Sequence, residues 1–164
     1  MTPQQRAELV AKYKDGYNQV VDAVKEISKE ELDFRPAPNK WTPREIVHHL
    51  ADSEMTSAIR LRKLLVEPNA EIQGYDQEEF ARKLHYDKRP IESSLVALQA
   101  ARATTAQLLD LMSEADWQRV GHHSESGIYA AERWLEIYAV HAHNHADQIR
   151  RARKLCAGNS NRKS

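Results

Sequence analysis

From Ala130 to Leu155 the chain holds neither glycine nor proline, and one stripe of that run is apolar except where two histidines interrupt it. Trp134, Tyr138, His141, His145, Ile149 and Ala152 follow one another at i, i+3 or i+4, the spacing of a single helical face. His141 and His145 therefore stand one turn apart on the side that looks into the core. Two neutral imidazoles four residues apart on a helix are near neighbours and can share one metal ion. His143 is turned about 200° from His141 around the axis and belongs to another face. Two ligands rarely hold a metal tightly, so the rest of the chain has to supply a third.

The other helices are announced by their caps. Thr2-Pro3 reads as an N-cap followed by proline at the first helical position, and Leu9, Val10, Tyr13, Tyr17, Val20, Val21, Val24 and Ile27 continue at helical spacing. Ser28-Lys-Glu-Glu31 has the capping-box pattern of a short helical turn, and Phe34 to Lys40, with Pro36 and Pro38, reads as an extended connector. Thr42-Pro43-Arg44-Glu45 is the strongest start signal, predicting a second helix from Pro43 to about Val66 that Pro68 ends. Residues 67–90 form a polar connection holding Gly74-Tyr75-Asp76 and a short helix from Asp76 to Leu84. A third helix is expected from Pro90 to Met112, then a turn at Ser113 to Trp117 and a loop from Arg119 to Tyr129. The fourth helix runs from about Ala130 to Leu155, and 157–164 are expected to be disordered. No stretch alternates convincingly enough for a strand. These elements predict an all-α four-helix bundle with long connecting loops, a single domain over 1–156.

Composition narrows the function. Lys and Arg number 24, as do Asp and Glu, so the formal net charge is zero and there is no electrostatic footprint for nucleic acid. The locally basic end from Arg150 to Lys163 complements a helix dipole. One cysteine, Cys156, cannot form an internal disulfide and fits a reducing compartment. No early apolar segment and no run approaching about 18 apolar residues is present, so the expectation is a cytoplasmic protein without a membrane span.

For the third ligand, a rigid element is easier to preorganise than a loop, which favours His48 or His49 of the second helix over His85, His122 and His123. Periodicity does not decide between the pair, because Val47 and Leu50 smear the apolar arc. Asp52, one turn after His49, can accept an imidazole N–H and fix its tautomer. Tyr75 can reach the site from its loop, and Asp147 stands two residues beyond His145. Asp52 reads equally well as a surface residue, while for Tyr75, Asp147 and His143 the ordinary surface or packing reading is the stronger one. His122 and His123 could cover the pocket, and Trp41, Trp117 and Trp134 read as core or bundle-end packing.

Trp41-Thr-Pro-Arg-Glu45-Ile-Val-His48-His49-Leu-Ala-Asp52-Ser-Glu54, followed by Tyr138-Ala-Val-His141-Ala-His-Asn-His145-Ala-Asp-Gln-Ile149, resembles the DinB superfamily. The likeness spans roughly residues 5 to 155 and is nearest to the branch of the bacillithiol transferases and the proteins named metal-dependent hydrolases. Gly74-Tyr75-Asp76 is similar to that branch too. The resemblance implies an up-down-down-up bundle, often a homodimer, with one divalent metal on three histidines. The histidine directly before Leu-Ala-Asp, the family's first ligand, lands on His49, and the other two match His141 and His145. The sequence departs at Asp147 and Gln148, where the branch often has a small residue and a histidine. That departure bears on the substrate rather than the metal.

Three neutral histidines leave a coordination position open, as in catalytic rather than structural sites. Zinc is the first expectation for an all-imidazole set, with nickel, manganese or iron also acceptable. The resemblance favours a transferase that activates a low-molecular-weight thiol for conjugation to a small electrophile, in detoxification. The runner-up is a hydrolase using metal-activated water, and a non-catalytic metal-binding stress protein or interaction module is the reading of a different class. No Glu stands in an HExxH arrangement, which disfavours a zincin-type peptidase.

Overall fold

The computed structural model describes residues 1–160. Helix α1 spans Pro3–Val24, α2 Lys29–Asp33 and α3 Pro43–Val66, and each opens on a closed capping box in which Thr2, Ser28 or Thr42 exchanges hydrogen bonds with Gln5, Glu31 or Glu45. Strand β1 follows at Ala70–Ile72, then α4 at Gln77–Lys83, α5 at Glu92–Leu111 and α6 at Glu114–Trp117. Strands β2 (Val120–His123) and β3 (Gly127–Ala130) lead into α7, which runs from Ala131 to Ser160. α7 thus continues beyond the expected end at Leu155. Of the tail expected to be disordered, 157–160 continue the helix, and 161–164 lie outside the described residues.

Contacts between helices set their directions. Arg6 meets Glu132, His143 meets the carbonyl of Lys12, and Arg150 meets Gln19, so α1 and α7 run parallel. His48 touches Ser94 and Glu54 touches Arg102, so α3 and α5 are parallel as well. His49 faces His141 while Trp134 donates to the carbonyl of Ser57, which makes α3 and α7 antiparallel. The bundle is therefore up-down-down-up, and the long connection carrying β1 and α4 is what returns the chain for a second descending helix.

The three short strands correct the expectation that no strand forms. β1 pairs parallel with β2 and β2 antiparallel with β3, with Ala70 opposite Gly121 and His123 opposite Gly127. Strands of three and four residues are too short to display a period in sequence. Gly121 permits the parallel pairing, because a β-carbon there would sit 2.5 Å from the carbonyl oxygen of Ala70.

The core falls into two apolar groups. One surrounds Trp134, Tyr13, Leu61 and the inner face of the sheet, and the other gathers Val20, Ile46, Leu50, Leu98, Ala142 and Ile149. Between them lies a buried polar layer of Ser53, Glu54, Ser57, Arg102, His48 and His49, with His141 and His145 partly buried beside it. Among the described residues no helix is long and apolar enough to cross a membrane.

Candidate metal centre

Antiparallel α3 and α7 bring His49, His141 and His145 together, with one nitrogen of each lying within 4.8 Å of the others. Nε2 of His49 is 3.3 Å from Nε2 of His141. Two nitrogens bound to one tetrahedral zinc at ~2.05 Å stand ~3.3 Å apart, so this pair already has the spacing of ligands. His49 packs edge-on against His141 and His145, with ring centroids at 5.2 and 4.8 Å. Burial pushes the His49 imidazole down to about 3, helped by the neighbouring His145, and burial lowers His141 and His145 as well. All three rings are consequently neutral at pH 7, with lone pairs ready for a cation and no proton to expel first.

The donors fit a divalent ion on a further ground. Nδ1 of His141 is buried without a hydrogen-bond partner, while its Nε2 faces only another imidazole. A buried ring left this poorly satisfied by protein groups gains from an ion. His145 is better held: its Nδ1 lies 3.0 Å from Oε1 of Gln148, which can only accept, so Nδ1 carries the proton and Nε2 is left as the ligand atom. Sequence reasoning missed this partner because Gln148 stood out only as a departure from the family pattern. Gln148→Ala should weaken metal retention by roughly 10- to 100-fold in a competition against a chromophoric chelator. An unchanged affinity would show that Gln148 does not orient the ring.

Trp41, expected to be packing, is a wall of the site. Its ring lies 4.6 Å from that of His49 and stacks over His145 at 6.5 Å. It also borders a cleft of about 460 Å³ that reaches His145 and Gln148, with Ile46, Ala152 and Arg151 along its sides. Trp134 and Trp117 are core residues as expected, the second beneath the Arg6 guanidinium.

The remaining candidates separate clearly. Asp52 does not orient His49: its carboxylate accepts a short hydrogen bond from the Tyr86 hydroxyl. Asp147 is exposed and paired with Arg150 at 2.8 Å, away from the cluster. Tyr75 is half-buried beneath the Arg60 guanidinium, one layer from the histidines. His48 is fully buried yet turned to α5 and its approach. Its Nε2 donates to the carbonyl of Arg89 at 3.1 Å, and its Nδ1 accepts from Ser94 Oγ at 2.7 Å. His143 donates to the carbonyl of Lys12 across α1 and α7. His122 is exposed beside Glu71, and His123 is buried in the sheet against Tyr129.

Fold and cluster together define a class: helical bundles with inward histidines from facing helices, grouped so that they could hold a metal ion. Within that class the chain belongs to the DinB superfamily, whose model matches residues 12–149. An Oceanobacillus iheyensis protein named "Putative metal-dependent hydrolase" is 36% identical over 132 residues, 80% of this chain and 74% of that protein. A Bacillus mycoides protein of the same description is 33% identical over 132 residues, 80% of this chain and 76% of its own length. Among solved structures, Bacillus subtilis YfiT, described as "a probable metal-dependent hydrolase with an unusual four-helix bundle topology", superposes with a TM-score of 0.88 at 26% identity, over 94% of this chain and 89% of that one.

Proposed function

We propose that this protein is a divalent-metal-dependent enzyme that holds its ion on His49, His141 and His145 and activates a low-molecular-weight thiol for attack on an electrophilic small molecule. The observation that carries the metal is the convergence of three neutral imidazoles with ligand spacing. Zinc suits such a set best, with nickel, manganese or iron as the other candidates. An ion held this way supplies a Lewis acid with an open position, which lowers the pKa of the acid bound there.

The chain's own part is to keep the imidazoles neutral, to fix His145 through Gln148, and to offer a cleft walled by Trp41 and Ile46 to an apolar electrophile. Nearby carboxylates are engaged elsewhere: Asp52 with Tyr86, Glu54 with Arg102 and Tyr13, Glu78 with the Trp41 indole N–H. Each is thus oriented by a partner other than the three histidines. With no carboxylate bonded to the three histidines among the described residues, a nucleophile acidic enough to lose its proton directly to solvent suits the site, and a thiol meets that requirement better than water. In the transfer a sulfur–carbon bond forms, the bond to the leaving group breaks, and the thiol proton passes to solvent.

Hydrolysis is the second reading, favoured by the names given to the relatives. Metal-loaded protein should be assayed with a thiol panel and 1-chloro-2,4-dinitrobenzene, and separately with p-nitrophenyl acetate. Metal-dependent conjugation with at least one thiol is expected. Ester cleavage without conjugation would replace the proposal by hydrolysis, and neither activity would favour a non-catalytic metal-binding protein.

A further inference from the structure

One helical turn from the histidines the bundle buries a second polar cluster that the metal site does not use. Ser53 follows His49 by one turn on α3, and Tyr138 precedes His141 by one turn on α7, so antiparallel packing puts both in the adjacent layer. Tyr138 lies against the centre itself, its ring 5.7 Å from that of His141. Arg60 enters this layer from the next turns of α3. Its Nη1 donates to the Tyr138 hydroxyl at 3.2 Å, its Nη2 to the carbonyl of Gln73 at 2.7 Å, and its guanidinium lies 5.9 Å from the centre of the Tyr75 ring. Tyr129 of β3 closes the group beside Arg60.

The cluster is rich in donors and short of acceptors. Nε of Arg60 and the hydroxyls of Tyr75 and Tyr129 are buried and make no hydrogen bond of good geometry, although Tyr129 lies beside Arg60 and Tyr75 beside Ser53. Arg60 joins none of the ion pairs found among the described residues, in contrast to Arg102 nearby, which is paired with Glu54. Asp52 is close enough to Tyr75 to be felt electrostatically, but its carboxylate is bonded to Tyr86. Leaving one buried donor unmet costs stability, and several beside a half-buried guanidinium that joins no ion pair suit a negatively charged acceptor.

We propose that Arg60, Tyr75, Tyr129 and Tyr138 form an oxyanion subsite that holds a carboxylate of the small molecule whose other end occupies the metal centre. The assignment deepens the functional reading above and rests on it for the thiol at that other end. Guanidinium and phenol donors together select charge and geometry, since a carboxylate oxygen can accept from several of them at once.

Cobalt(II)-loaded protein offers the test, because a thiolate bound to the ion gives a near-ultraviolet charge-transfer band. 3-Mercaptopropionate and 2-mercaptoethanol differ chiefly in the carboxylate. Wild type is expected to bind the first about tenfold more tightly or better. Arg60→Gln should abolish that preference while cobalt content stays unchanged. Tyr129→Phe, which removes a hydroxyl that makes no hydrogen bond of good geometry without emptying space, should reduce the preference while leaving the melting temperature unchanged or raised. Equal affinity for the two thiols in wild type, or a preference that survives both variants, overturns the subsite. If cobalt loads but neither thiol gives a band, the thiol reading fails by itself. Acetate titrated calorimetrically into zinc-loaded protein then decides: binding lost in Arg60→Gln upholds the subsite, and binding absent or unchanged overturns it.

Discussion

His49→Ala should strip the protein of its metal and, with it, about a thousandfold or more of whatever turnover the loaded enzyme shows. His49 is the only histidine that α3 contributes to the cluster, so its loss leaves two ligands on one helix, too few to hold an ion tightly. A Lewis acid contributes several kcal/mol to its transition state, and about 4 kcal/mol corresponds to a thousandfold in rate. The check is elemental mass spectrometry on protein purified without a histidine tag, beside circular dichroism to confirm folding. Wild type should carry about one divalent ion per chain and His49→Ala close to none. Two neighbours give the contrast that a general loss of structure would not. His143→Ala removes a bond to the Lys12 carbonyl and a 4.0 Å contact with Asp15, neither of them at the cluster, and should keep its metal. His48→Ala removes a fully buried ring bonded to Ser94 and Arg89, and should lose stability but keep its metal. Full occupancy in His49→Ala would end the three-histidine assignment.

The adjacent pair His48 and His49 also marks the limit of what the sequence made legible. Periodicity could not choose between them, and the structure supplies the reason: from Glu45 to Ala51 every residue of α3 is buried. A helix segment enclosed on all sides has no polar face against which a stripe can be read. The flanking Leu-Ala-Asp motif chose His49, where hydropathy had no means to. By contrast, the start of α3 could be placed at Pro43 and its end near Val66, because Thr42, Pro43 and Glu45 are chemical start signals and Pro68 is a stop. Strands β1 to β3 escaped notice for want of length. Trp41 escaped because its stacking on His145 joins segments remote in sequence, and Gln148, although only three residues from His145, because it stood out only as a departure from the family pattern. Arg60 and Arg102 are the most instructive omissions. An arginine on an amphipathic helix is read by default as solvent-facing, and only the fold reveals that these two point inward.

Arg102→Met should cost about 3–5 kcal/mol of folding stability, the largest effect expected of a residue that touches no metal ligand. The guanidinium is 3% exposed and its partner Glu54 not at all, with Nη1 of Arg102 2.5 Å from Oε2 of Glu54. The Tyr13 hydroxyl donates to the other carboxylate oxygen at 2.5 Å, the Tyr13 ring stacks 3.9 Å from the guanidinium carbon, and Nη2 reaches the Tyr13 carbonyl. Gly16 makes room for this arrangement: a β-carbon there would lie 2.6 Å from Nη2. Removing the arginine strands a carboxylate in the polar layer between the two apolar groups, where no other cation is bonded to it. At roughly 2–4 °C per kcal/mol for a chain of this size, the melting temperature should fall by about 10 °C. The double variant Glu54→Gln with Arg102→Met removes both charges and should recover a good part of the loss, so that the two substitutions are strongly non-additive in urea denaturation. Additive losses would mean that the pair is not coupled as drawn. Because the network joins α1, α3 and α5 and reaches α7 only at the Tyr138 carbonyl, touching none of the three histidines, the double variant should still bind its metal, separating what holds the bundle together from what the site does.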